Sequence, residues 1–415
     1  MLSRSKVKLD GVDIFVLTIM TFIIEGSSFF VAYNWFIILV FVLFLGLFLH
    51  KGKKIDIGFI YILVVWGLIN LFSAIVNGHL SFSPLAGSIF KLFVPYFAVK
   101  IIGYQFFEKF FRFYYVLVVT SSVFYIFEVL FPSVMTGLTP YLNFLEHWRM
   151  LANGDFYIFF YNHLGAYNEY HGFFPRNCGF MWEPGAYALF LNMLIAYRLY
   201  RDNYRITRPI VLMTLALIST FSTAGYFGFF VLLLFFIAKR ESRRAPLLIP
   251  ILFGVAVFVF LRLYSTADFM SEKLDLYEEI GADVRTASFE DESWDRVTRL
   301  GMAIIALENS VRHPMGDGVN MSSYVLNKYG NITGANSLAG VLMKWGWLGL
   351  IVLVIAIYKL KPGKESGFGL LLVVPLLISF SSNPYSSMQY LMYFILSYSL
   401  VCNNFKSEWE YQQQY

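Results

Sequence analysis

The sequence predicts an all-α polytopic membrane protein, one membrane domain over residues 1–415, and three observations predict it. Apolar residues make up 58% of the chain and charged residues only 14%, where a soluble chain carries about a quarter charged residues. Runs of about twenty apolar residues recur, each long enough to cross hydrocarbon as a helix. Lys and Arg crowd alternate short turns, the asymmetry that sets orientation in a bilayer, and about twelve spans with both termini cytoplasmic satisfy it.

The elements follow in order. Helices are expected over about Gly11–Ser28 and Tyr33–Leu49, before the basic turn of Lys51, Lys53 and Lys54. The start Arg4, Lys6 and Lys8 leads into an apolar segment with no small-residue cleavage site, so the first helix is expected to stay as an anchor. A third helix covers about Ile57–Val76. A fourth, about Pro84–Ile102, carries Lys91 and a kink at Pro95. Lys100, Lys109 and Arg112 flank the next inner turn, and a fifth helix runs from about Phe113 to Phe131.

The first long outer loop is expected over 132–176, rich in Tyr, Asn and Gly and carrying His147, His163 and His171. A sixth helix spans about Gly179–Tyr200. The apolar run Pro209–Ala238 is broken by Ser219 to Gly225 and has basic residues at both ends, so two short helices are expected there. A ninth helix covers about Pro246–Leu263. The last three cover about Ala335–Ile357, Gly367–Phe380 and Met388–Val401.

Between the ninth and tenth spans lies the second long outer loop, 264–334, where carboxylates outnumber basic residues. The net charge of +5 therefore reports orientation rather than affinity for nucleic acid. Inside this loop Val297, Leu300, Ile304, Leu307 and Val311 recur at helical spacing and predict an amphipathic helix over 296–312, stopped by Pro314. Such a helix is expected along the outer membrane–water boundary. A second helical pattern is Met270, Leu274 and Tyr277, and Asp283–Asp295 reads as an exposed acidic loop.

Several residues could carry chemistry. Arg176 and Arg299 fall near the expected outer face, and a guanidinium fork matches phosphate oxygens in pairs. Arg296 shares a face with Arg299. Outer arginines equally serve as lipid anchors. Lys91 and Lys344 stand inside spans, where phosphate contact and snorkelling compete. Glu183 sits at the start of the sixth helix, able to accept a proton from a sugar hydroxyl or to orient Arg176. Glu25 and Glu128, near helix ends, read as structural.

His313 follows Arg312 and precedes the turn Gly316-Asp317-Gly318; imidazole is a base near neutral pH without perturbation. That glycine pair lacks the strand and Lys-Ser/Thr of a phosphate loop. No histidine has metal-ligand spacing, and no metal or other cofactor is expected. Cys178 and Cys402 fall on opposite faces and are not expected to pair.

The segments Arg176 to Gly185, Ser219 to Gly225, Arg299 to Gly318, and Ala335-Asn336-Ser337 with Trp345 to Gly349 resemble the O-antigen polymerase and O-antigen ligase superfamily of bacterial membrane glycosyltransferases. The resemblance covers about residues 10–400 as topology, through short motifs. It implies a GT-C-like glycosyltransferase architecture in the bacterial inner membrane. It also implies metal-independent transfer of a glycan from undecaprenyl diphosphate, with Arg176, Arg296, Arg299 and Lys344 on the diphosphate.

Ligases of this family carry a His before the Asn at the start of the tenth helix; here Ala335 precedes Asn336. That departure favours polymerisation of lipid-linked repeats of O-antigen, capsule or exopolysaccharide over ligation to lipid A core. Glu183 and His313 are the candidate bases, with Asn336 and Arg312 beside the site. The partners implied are the lipid-linked oligosaccharide, an acceptor glycan, the bilayer, a flippase and a chain-length regulator. A transporter of lipid-linked oligosaccharide is the alternative from another class; it would need charge along a path through the helices and paired internal repeats.

Overall fold

The computed structural model describes residues 8–24, 34–77, 82–142, 156–163, 175–240, 296–297, 299–319, 325, 328, 333–334, 336–360, 368–381 and 385–401. The expected ninth span, the Met270–Tyr277 pattern, the acidic 283–295 loop, Glu25, His147, His171, Ala335 and Cys402 lie outside them.

The described chain is helical. Its helices are α1 (Gly11–Ile24), α2 (Asn34–His50), α3 (Ile57–Asn77), α4 (Phe82–Ile102), α5 (Phe106–Leu130) and α6 (Pro132–Leu142). After the hairpin β1 (Phe156–Ile158) and β2 (Tyr161–His163) come α7 (Pro184–Arg201), α8 (Arg208–Ile218) and α9 (Thr223–Arg240). Strand β3 (Arg296–Val297) leads into α10 (Arg299–Arg312), and β4 (Thr333–Gly334) precedes α11 (Ser337–Tyr358), α12 (Phe368–Ser381) and α13 (Tyr385–Val401).

Four stretches, Ile57–Val76, Pro84–Ile102, Phe106–Leu130 and Ser337–Tyr358, are long and apolar enough to cross a membrane. Val64, Leu68, Leu71 and Ile75 on α3, Val123 and Ile126 on α5, and Ile351 and Ile355 on α11 all point outward. Contiguous apolar surface on this scale is what lipid covers. This is an all-α membrane protein.

Two helices hold the bundle together. α4 packs on α1, α2 and α13, while α7 packs on α8, α9 and α12; α11 joins the halves through α12 and α13. α7 starts on Pro184, whose missing N–H costs nothing there, and ends with Arg198 and Arg201 in its last turn, where cations suit the carbonyl end. Small residues set how closely it meets α9. A Cβ on Gly225 would lie 2.4 Å from the Ala188 Cβ, and one on Gly228 would lie 2.8 Å from Asn192 Nδ2. Between helices in lipid, such backbone proximity replaces the hydrophobic drive that water would supply.

The break expected between Ser219 and Gly225 falls between α8 and α9. Asn177 binds Ser219 twice, through its N–H to the carbonyl (3.0 Å) and its Nδ2 to Oγ (2.8 Å). α5 begins earlier than expected, which puts Lys109 and Arg112 inside a helix instead of in a turn. The cause is pairing. Lys109 Nζ lies 2.6 Å from Asp13 of α1, and Arg112 Nε 3.0 Å from Glu108. Within 132–176, expected as loop, α6 and the β1–β2 hairpin pack against α5.

The 296–312 helix is also modified. Residues 296–297 are strand, paired in parallel with Thr333 and Gly334, and the helix begins at Arg299. From this common start α10 and α11 run side by side. The Asn336 Nδ2 donates to the Arg299 carbonyl at 3.0 Å, and the segment after α10 meets α11 again at Met343 to Trp347. α10 is therefore packed along α11 rather than lying apart from it. Met302, Ile305, Ala306, Asn309 and Ser310 are buried, while Leu307 and Val311 of the expected apolar stripe point away.

Candidate functional site

The candidate site residues fall in two places. One is the entry to α7. Tyr125 donates to the Pro175 carbonyl at 2.9 Å, and the hairpin holds the next turn through Asn162 N–H to Gly179 O (2.7 Å) and Asn162 Nδ2 to Met181 O (3.0 Å). Arg176, between these anchors, turns its fork onto protein: Nε donates to Thr220 O at 3.3 Å and an Nη to Phe221 O at 3.2 Å. These carbonyls follow the C-terminal end of α8, where helix geometry leaves acceptors unsatisfied. Glu183 is the residue before α7, with extended backbone and a carbonyl that accepts from Tyr187 N at 3.1 Å; its carboxylate makes no capping bond.

Beneath this entry lies a buried network that the sequence did not single out. Glu128 of α5 has one oxygen 2.9 Å from His163 Nδ1 and accepts the Tyr161 hydroxyl on the other. Glu128, Tyr161 and His163 are all at most 3% exposed, so His163 is a core residue, not a loop histidine open to solvent. Burial, with the Glu128 carboxylate beside it, pushes the Tyr161 phenol well above its ordinary range. The network fastens the hairpin to α5.

The second place is the junction of α10, α11 and α3. α11 is broken at Gly346 (φ 62°, ψ −162°). The segment after α10 takes over the hydrogen bonds that the break releases. Asp317 N–H donates to Met343 O at 2.7 Å, Gly318 N–H to Lys344 O at 2.9 Å, and Trp347 N–H to Pro314 O at 3.1 Å. The exchange requires backbone on backbone. A Cβ on Gly316 would lie 2.5 Å from Gly346 N, and one on Gly346 would lie 2.1 Å from Pro314 O. The Gly316–Gly318 pair is thus a docking device, and both glycines have positive φ. α3 completes the seat, with Ser73 Oγ donating to Asp317 O at 2.5 Å and Asn70 Oδ1 accepting from Val319 N–H at 2.9 Å.

This docking positions chemistry. Asp317 is 2% exposed, takes Asn309 Nδ2 on Oδ2 at 2.7 Å, and places Oδ1 3.1 Å from His313 Nδ1. His313 keeps 17% of its side chain exposed. A carboxylate this close to Nδ1 favours the tautomer with its proton on Nδ1, in which Nε2 carries the lone pair. Lys344 lies beside this loop, its carbonyl held by Gly318 N–H. Arg312 is exposed in the last turn of α10. Arg299 is half-buried at the start of that helix, and Arg296 pairs its backbone with Thr333. Asn336 is a joint: its Oδ1 caps α11 at Ala339 N–H (3.0 Å) while its amide holds the Arg299 carbonyl.

The structure therefore brings His313 and Asp317 together and docks their loop on the backbone of Met343 and Lys344. Arg176 and Glu183 stand at the entry to α7, where Arg176 binds the Thr220 and Phe221 carbonyls. Among the described residues, no three His, Cys, Asp or Glu side chains gather as metal ligands would. Asp317 was legible only as part of a turn, and its pairing with His313 at i,i+4 was the available signal. No protein-family model matches the chain, and a search of curated proteins finds no match either.

Proposed function

We propose that this protein is a polysaccharide polymerase of the lipid-linked glycosyltransferase class. It works in the bacterial cytoplasmic membrane with twelve spans, a GT-C-like architecture and both termini inside. Its donor is an undecaprenyl-diphosphate-linked oligosaccharide, and its acceptor is a hydroxyl of the next lipid-linked repeat. The observation that carries the reading is the His313–Asp317 pair, a partly open imidazole 3.1 Å from a buried carboxylate, on a loop docked against the Met343 and Lys344 carbonyls.

In this reaction His313 Nε2 takes the acceptor hydroxyl proton while the oxygen bonds to the anomeric carbon. The bond from that carbon to the diphosphate oxygen breaks, undecaprenyl diphosphate departs, and the anomeric centre inverts. Fixed cations matter most at that leaving group, where charge develops, and one such contact is worth about 3 kcal/mol of barrier. Lys344 is on α11 where the loop docks; Arg299 and Arg296 stand at the head of the same helix pair. Arg176, committed to the carbonyls after α8, fits an architectural role better than a clamp. Glu183 is the weaker candidate base, because it stands at the other place.

The test is purified protein with lipid-linked repeats, scored for a ladder of products. His313→Ala should slow elongation by about a hundredfold or more, and Asp317→Asn should slow it at unchanged protein level. Absence of any ladder from the wild-type protein overturns the proposal, and transfer to a non-repeat acceptor alone would indicate ligase activity. A second reading, transport of the lipid-linked oligosaccharide, draws on the two lysines inside the spans. It predicts transfer of labelled lipid-linked sugar across liposome membranes without elongation.

A further inference from the structure

α1 and α2 both pack on α4 but scarcely on each other. Between the first turns of α1 and the last turns of α2 lies a cleft of about 410 Å³, within the size range of ligand pockets. Its walls are apolar, with Phe15 on one side and Val42, Leu43 and Leu47 on the other; Phe15, Val42 and Leu43 are exposed. Glycine keeps it open. Among the described residues, no atom lies within 4 Å of a Cβ built on Gly11 of α1 or on Gly46 of α2.

The mouth of the cleft is basic. α2 closes in a tight turn in which Lys51 N–H donates to Leu47 O at 3.0 Å and Lys53 N–H to Phe48 O at 3.1 Å. Lys51, Lys53 and Lys54 thus follow directly on a residue that lines the cleft, and Lys8 stands just before Gly11; Lys8 and Lys54 are exposed. Of the carboxylates here, Asp13 is bound to Lys109 at 2.6 Å and Asp56 to Lys100 at 3.0 Å, while Asp10 caps α1. The local balance is positive. This end is also remote from the candidate site, because α3 starts at Ile57 after the basic turn and receives the docked loop at Asn70 and Ser73, about 20 Å further along its axis.

In a bilayer the drive for filling such a cleft is packing rather than expulsion of water, and walls without a neighbour forfeit dispersion contacts. A hydrocarbon chain restores them. Lysines at headgroup level attract anionic lipid, each by about fivefold in affinity. We propose that the α1–α2 cleft holds an acyl chain of an anionic phospholipid, whose phosphate lies against Lys8 and the Lys51–Lys54 turn. The site goes beyond the polymerase reading and does not depend on it.

The test is native mass spectrometry of the full chain, stripped of lipid in detergent and titrated with phosphatidylglycerol or with phosphatidylcholine of the same acyl chains. The wild-type protein should prefer phosphatidylglycerol by about fivefold or more. Lys8→Gln combined with Lys54→Gln should remove most of that preference and leave phosphatidylcholine binding unchanged. Gly46→Leu fills the cleft with a better helix former and should lose most of the bound lipid of either kind, at an unchanged or higher melting temperature before lipid is added. Equal affinity of the wild-type protein for the two lipids overturns the proposal, as does phosphatidylglycerol binding that survives Gly46→Leu. A dimer that Gly46→Leu dissociates would place a second copy in the cleft and overturn it too.

Discussion

Replacing Gly346 by alanine tests the junction on which the candidate site is built. The new Cβ would stand 2.1 Å from Pro314 O, 2.5 Å from Met315 C and 2.7 Å from Gly316 N, all backbone atoms with no flexible end to swing aside. Gly346 also occupies φ 62° and ψ −162°, a region that side chains enter at a cost of about 1–3 kcal/mol. If the loop is pushed off, three exchanged hydrogen bonds are lost at about 1 kcal/mol each. The sum is about 4 kcal/mol or more. The control is Gly67→Ala in the middle of α3, where nothing lies within 4 Å of the added carbon. That change should be neutral or gain up to about 1 kcal/mol through helix propensity. Thermal challenge followed by fluorescence-detected size exclusion measures both. Equal stability of the two variants would refute the docked break and, with it, the placement of Asp317.

Three further outcomes are expected. Arg176→Lys loses the fork that reaches two carbonyls and should lower stability by about 1–3 kcal/mol, read as a lower melting temperature; a loss of activity at unchanged stability would return Arg176 to the substrate. Glu128→Ala strands His163 and Tyr161 in the core and should cost about 3 kcal/mol or more, with protease cutting near the hairpin as the readout. Asp10 and Asp13 cap α1 reciprocally, at 2.7 and 3.0 Å, so Asp10→Ala should cost about 1 kcal/mol at neutral pH. The Asp13 backbone N–H, then Lys109 and Lys51, hold the Asp10 carboxyl below its ordinary 3.8. Its contribution is thus complete above that pH and lost as acid titrates the folded form, so wild type and variant should converge in melting experiments at lower pH.

Hydropathy and helical period made most of the architecture readable, because both are local. The paired helices at Arg208–Ile218 and Thr223–Arg240 were foreseen from small residues between basic ends. The start of α5 was not, since Lys109 and Arg112 look like turn markers until Asp13 and Glu108 are known to face them. The candidate site was half visible. His313 and Lys344 could be named from position, but the orienting role of Asp317 depends on a fold-back against Met343 and Lys344. Gly316 and Gly318 have no assigned role in the sequence, since the partners that demand them, Gly346 and Asn70, are remote in the chain. The Glu128–His163 contact was invisible for the same reason: each residue alone resembles an ordinary neighbour of a helix end.

The interrupted α11 has a consequence for biogenesis. Its first half cannot be finished as a membrane helix on its own, since Met343 and Lys344 would present bare carbonyls to hydrocarbon. The amides that quench them belong to residues synthesised earlier, so the plug is already made when the helix that needs it emerges. Assembly in the reverse order would leave a wound in the bilayer. Translation from amino to carboxyl terminus delivers the dressing first.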